Sequence, residues 1–267
     1  REISGKVVLI RKLDGDTLVV PRMKQKAYHT FPSHRRLSCQ ACHSAWTPQC
    51  YGCHEIYQKT ETQLDKLSGK ETPGAWSERR SFLRFERPIL GIGPGGKRVE
   101  LFAPGCQVFL TAFNKKAAVE TTFTALAMGA FDPHTTRKTV PTCEYCHSLP
   151  KVMGLGEARM QFSGKDSISV AYLYDAPRSG LGRPYPLTAF VLPNGQPLQT
   201  TNRKGARPFS AQELDHILRA NLCLPCHDTY QDAIYRDFAK SWQRFWASKR
   251  LPCWQALQPS RPASPSF

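Results

Sequence analysis

One five-residue pattern, Cys-x-x-Cys-His, occurs four times in this chain. The copies are Cys39, Cys42 and His43; Cys50, Cys53 and His54; Cys143, Cys146 and His147; and Cys223, Cys226 and His227. Two thiols three positions apart lie about one helical turn from each other, and an imidazole follows at once. Such donors have two common uses. Paired thiols build zinc sites. Alternatively, they add across the two vinyl groups of one haem while the adjacent histidine reaches the iron, the attachment signature of a c-type haem. Zinc does not explain why every pair is followed by histidine, nor why the third and fourth pairs lie so far apart in sequence. The haem reading accounts for both.

The chain has eight histidines, and the motifs use four. The others are His29, His34, His134 and His216. Four haems with two axial positions each need eight ligands, so supply equals demand. The motifs and this count resemble those of multihaem c-type cytochromes of the tetrahaem, bis-histidine type. The resemblance rests on these residues and leaves most of the chain unassigned. It implies four covalent haem c groups with His29, His34, His134 and His216 as the second iron ligands. Iron held by histidine on both faces transfers electrons and has no open position for substrate, because axial ligation decides between these roles. Met23, Met128, Met153 and Met160 are alternative axial ligands that would raise a potential. Each also reads as an ordinary packing residue.

The resemblance also carries an address. Covalent haem attachment takes place outside the bacterial cytoplasm, so the chain is expected to be exported to the periplasm or to an extracellular, outer-membrane-associated site. Arg1 opens a polar, basic segment, so an export signal is expected to have been removed. No run of eighteen apolar residues is present, and no membrane span is expected. Cys106 and Cys253 fall outside the motifs. In an oxidising compartment they form a disulfide or remain buried thiols.

The net charge is +16. Residues 1–36 alone hold nine Lys or Arg against three acids. Such a surface steers acidic redox partners. Nucleic acid is a poor partner for an exported haem protein. The expected function is therefore an electron carrier rather than an enzyme, relaying electrons through four haems as a subunit of a larger redox complex. Two alternatives remain. One is a reductase of small nitrogen or sulfur oxyanions with one open haem. The other is a subunit of an oligomeric or filamentous cytochrome wire.

The elements that must position these residues read as an irregular α+β fold with a haem-packed core, β-hairpins, a few helices and long loops. Residues 6–12 and 16–20 flank Asp14-Gly15 and read as a hairpin. The expected organisation is an N-terminal hairpin at 1–26, a two-haem cassette at 27–70, a β-rich segment at 71–135, two further haem-binding modules at 136–258 and an extended tail at 259–267. Residues 54–67 read as a helix ending near Gly69, and 168–174 as a strand. Gly91 to Gly96 matches Gly-x-Gly-x-x-Gly, but Pro94 and a following strand pattern make it a turn rather than a dinucleotide site. Pro193-Asn194-Gly195 marks another turn. Six prolines across 175–208 disfavour helix. Ser210 to Glu213 is a capping box that opens a helix carrying His216. Residues 229–248 read as an amphipathic helix with Tyr230, Ile234, Phe238, Trp242, Phe245 and Trp246 on one face. That face either covers the fourth haem or docks a partner.

Overall fold

Asp14-Gly15 reverses the chain because glycine tolerates the positive φ of +75° needed there. Gly15 N–H donates to Arg11 O at 3.1 Å and Arg11 N–H to Asp16 O at 2.8 Å. The computed structural model describes residues 1–24, 26–51, 53–79, 82–133, 135–162, 168–173, 184–201, 203–248 and 253. His134, residues 174–183 and the tail 259–267 lie outside the described residues, as do the side chains of Cys50, Cys53 and Cys106. The structure divides into two compact units, Arg1–Arg35 and Arg36–Phe267.

The first unit is a three-stranded antiparallel sheet of β1 (Glu2–Ile3), β2 (Lys6–Ile10) and β3 (Thr17–Val19). It is followed by two single 3-10 turns, Ala27–His29 and Pro32–His34. These turns carry His29 and His34.

The second unit begins with α1 (Cys39–His43), β4 (Thr47–Tyr51) and β5 (Cys53–Asp65). Next come β6 (Lys70–Arg79), β7 (Phe82–Glu86), β8 (Ile89–Ile92), β9 (Val99–Phe113) and β10 (Val119–Ala130). Then follow α2 (Cys143–Ser148), β11 (Ala158–Phe162), β12 (Ile168–Tyr172), β13 (Thr200–Thr201), α3 (Ala211–Arg219) and α4 (Phe238–Ala247). The main sheet has the order β13-β10-β9-β5-β6, with β8 also paired to β9. β4 pairs with β7, and β11 with β12. Few helices and several small sheets make this an irregular α+β fold. Among the described residues no helix is long and apolar enough to cross a membrane.

Residues 54–65 are strand and 66–67 turn, rather than the expected helix. β5 pairs antiparallel with β6 and parallel with β9. Asp65 organises the turn, accepting the N–H groups of Leu67 and Ser68 at 2.9 and 3.3 Å, and Gly69 takes φ +68°. The apolar spacing in this segment was compatible with a helix, but pairing on both edges won. Tyr57 meets Trp76 of the neighbouring strand with ring centroids 4.7 Å apart, the cross-strand contact that stabilises a sheet. The helix expected over 229–248 is also shorter. A 3-10 turn at Ala233–Tyr235 precedes α4, which buries Trp242 and Phe245. The glycine run after β8 is the expected turn: Gly93 N–H donates to Arg98 O at 2.9 Å and Gly96 N–H to Gly93 O at 2.8 Å.

A conventional apolar core gathers Ile89, Ile92, Leu101, Phe102 and Met128 from the sheet with Met153, Leu155 and Phe190 from the loops and Leu214 and Leu218 from α3. Met128 and Met153 are fully enclosed in it, whereas Met23 is exposed. The core seats the helices of the Cys-x-x-Cys-His motifs. Ala41 of α1 belongs to it, and so does Val152, in the 3-10 turn Pro150–Met153 that follows α2.

The capping box at α3 is complete. Glu213 N–H donates to Ser210 Oγ at 3.2 Å, and the Glu213 carboxylate accepts Ser210 N–H at 2.9 Å. Arg207 at 2.7 Å and Arg36 at 2.7 Å also bond that carboxylate. Burial pushes the carboxyl up, but these donors outweigh it and hold Glu213 at about 2, against an ordinary 4.5. A depressed carboxyl stabilises the fold above its unfolded value and loses that contribution as pH falls through the folded value. Urea unfolding between pH 4.5 and 2 is expected to show stability falling across this window. In Glu213→Gln that slope should flatten.

Candidate functional site

Three of the four motifs are helical turns. Ser38 caps α1 by accepting Ala41 N–H at 3.2 Å, and its own N–H donates to Val99 O at 2.9 Å, which pins the turn to the start of β9. Thr142 caps α2 by accepting Tyr145 N–H at 3.3 Å. The fourth motif follows α3, and His227 N–H donates to Cys223 O at 2.9 Å, closing a helical turn. A rise of about 1.5 Å per residue keeps each thiol pair close along the axis. The second motif differs. Cys50 lies in β4 and Cys53 opens β5, so both cysteines sit on extended backbone, at about 3.3 Å per residue.

The imidazoles show the same division. His43 Nδ1 lies 3.0 Å from Arg137 O, His147 Nδ1 2.7 Å from Ile217 O, and His227 Nδ1 2.8 Å from Asp232 Oδ2. Carbonyl and carboxylate oxygens only accept, so Nδ1 carries the proton in each ring. A neutral imidazole of this tautomer carries its lone pair on Nε2. Fixing tautomer and ring orientation through the other nitrogen is how proteins prepare histidine as a metal ligand. Burial lowers the His147 pKa, partly opposed by its bond to Ile217, and so favours the neutral ring. His54 Nε2 lies 3.1 Å from Thr111 Oγ1.

The structure brings the first, third and fourth motifs together although they come from distant parts of the chain. Burial, then the neighbouring Cys42 and Cys143 thiols, push Cys146 up to about 12. The first and third thiol pairs are therefore neighbours. The backbone reinforces this contact, since Arg137 N–H donates to His43 O at 2.7 Å in the approach to α2. On the other side Cys143 Sγ lies 3.9 Å from Asp228 O, beside the fourth motif. Ser148 bonds Asn221, and His147 reaches the carbonyl of Ile217 in α3. α2 thus lies between its two neighbours. Burial, then Cys253 and Cys226, push Cys223 up to about 11, so Cys253 sits near the fourth pair. It carries a free thiol.

His29 and His34 belong to the first unit. His29 Nδ1 lies 3.1 Å from Lys24 O, the same tautomer as the three anchored rings. The His34 ring meets Phe31 edge-on at 5.0 Å. His216 is exposed on α3, next to the Ile217 carbonyl that holds His147. Among the described residues, no group of three or more His, Cys, Asp or Glu side chains could by itself hold a metal ion.

Sequence reasoning missed the anchors. Arg137 and Ile217 act through backbone carbonyls, which carry no residue signature. Asp232 had one, an acid five residues beyond a motif histidine where a new turn begins. Comparison of the chain with family models, curated proteins and solved structures finds no match.

Proposed function

We propose that the chain is an extracytoplasmic electron-transfer protein that holds four haem c groups through its Cys-x-x-Cys-His motifs. One observation carries the reading: three helical turns, the first two capped by Ser38 and Thr142, each with a thiol pair and a histidine anchored through Nδ1, converge from segments roughly eighty to a hundred residues apart in sequence. The residues at these three sites fit covalent haem. At the second, Cys50 and Cys53 lie in the strands β4 and β5.

Each bound haem would supply a one-electron iron centre. The chain does the rest. Cys39, Cys42, Cys50, Cys53, Cys143, Cys146, Cys223 and Cys226 fix position. His43, His54, His147 and His227 would each offer the iron of their own motif's haem a ring nitrogen as its first protein ligand. His29, His34, His134 and His216 are proposed as the second. The close approach of the first, third and fourth motifs keeps their sites within one cluster, and the net charge of +16 favours acidic redox partners.

Two measurements on protein matured in an exporting host test this. Denatured protein is expected to retain four covalent haems by mass and by pyridine haemochrome absorbance. Carbon monoxide added to the reduced protein is expected to leave the spectrum unchanged. Bound zinc without haem would overturn the reading. A carbon monoxide shift affecting one haem would favour a reductase with an open site.

A further inference from the structure

His227 is anchored differently from its two neighbours. His43 and His147 donate to neutral backbone carbonyls, whereas His227 donates to a carboxylate. That carboxylate is itself fixed. Asp232 Oδ1 accepts Ile234 N–H at 3.1 Å while Oδ2 takes the imidazole proton at 2.8 Å. Tyr235 O–H donates to His227 O at 2.7 Å, and Ser241 O–H to Ile234 O at 2.9 Å, tying the turn to α4. Both ring and acid are thus held by separate contacts.

A hydrogen bond to an ionised acceptor is about twice as strong as one to a neutral acceptor. It draws the Nδ1 proton away and makes Nε2 a stronger donor. A stronger axial donor stabilises the oxidised iron more than the reduced one, and axial ligands with their hydrogen bonds are among the levers a protein has on haem potential. We propose that Asp232 is a positioning residue that makes the fourth haem the most reducing of the three clustered sites. The inference rests on the haem reading above. It gives the cluster an order: on reduction the fourth site fills last, and on oxidation it empties first.

The test is a spectroelectrochemical titration of the holoprotein. In Asp232→Asn one of the four potentials is expected to rise by about 59 mV, which for a one-electron couple is a tenfold change in the reduction equilibrium. It should be the same potential that disappears in Cys223→Ala/Cys226→Ala, which cannot bind the fourth haem covalently. Asp232→Glu keeps the charge and should stay closer to the parent. Asp237→Asn removes an equal charge from the cap of α4, where Asp237 accepts Lys240 N–H at 3.1 Å, and should move nothing. No rise in Asp232→Asn, a fall, or an equal rise in Asp237→Asn would overturn the proposal while four haems remain. A parent protein without covalent haem would overturn the functional reading first.

Discussion

Replacing Cys143 and Cys146 together with alanine is expected to reduce the covalent haem count from four to three and to destabilise the protein sharply. α2 lies between two other motifs. Cys146 neighbours Cys42 on one side, and Cys143 approaches Asp228 O on the other. His147 and Ser148 bond residues of α3 and the turn after it. Losing a covalently held group from this position would leave space that these partners cannot fill without moving. Losses of this kind belong to the few mechanisms that cost several kcal/mol. A cost of at least ~3 kcal/mol corresponds to a fall in Tm of roughly 6–12 °C in a chain of this length. The same change at Cys50 and Cys53 should also remove one haem. There the backbone runs within strand pairs that are already satisfied, β4 with β7 and β5 with β6 and β9. The Tm should fall less. Intact mass and thermal melting of the two double variants provide the comparison. Equal falls in Tm would contradict a cluster centred on α2.

The asymmetry among the four motifs was not visible in the sequence. All four share the same five-residue pattern, and the pattern alone assigns each a turn. What separates the second is its flanks. Thr47 to Tyr51 pair with β7 and Cys53 to Gln58 with β9, in both cases more than thirty residues away, and no local pattern reports such pairing. In 54–67 the remote β9 edge is joined by a nearby one, β6, which folds back across the turn at Gly69 and pairs as far as Asp65 with Lys70. Local signals fared better. Asp14-Gly15, the glycine run after β8 and the Ser210–Glu213 box each act within a few residues, and each gives the expected turn or cap. The convergence of the first, third and fourth motifs lies at the opposite extreme. It depends on a core assembled from residues spread between Ala41 and Leu218.

Truncating that core is the second large effect. Phe190→Ala is expected to cost about 3–5 kcal/mol, the usual range for a buried aromatic. This is a large part of the 5–15 kcal/mol that typically holds a domain together. Phe190 is fully buried and packs against Phe102 with ring centroids 6.0 Å apart. Its N–H donates to Gly154 O at 2.8 Å, and its carbonyl accepts Leu198 N–H at 2.9 Å. Gly154 takes φ +79° beneath that ring, and the ring lies where a Cβ at 154 would stand, directly on the backbone. A urea titration should show the midpoint falling with little change in slope. The result bears on how much of the interior belongs to haem. In a core packed mainly by haem, removing one phenyl ring while all four haems stay attached would cost little. The apolar cluster instead joins the sheet to the turn after α2 and to α3. α3 carries the Ile217 carbonyl that orients His147. Repacking around the space left at Phe190 should therefore reach the third site, and the potential lost with Cys143 and Cys146 should be the one most disturbed in Phe190→Ala. Polypeptide packing would then be what holds the haem ligands in place, with the haems attached to a core that already exists.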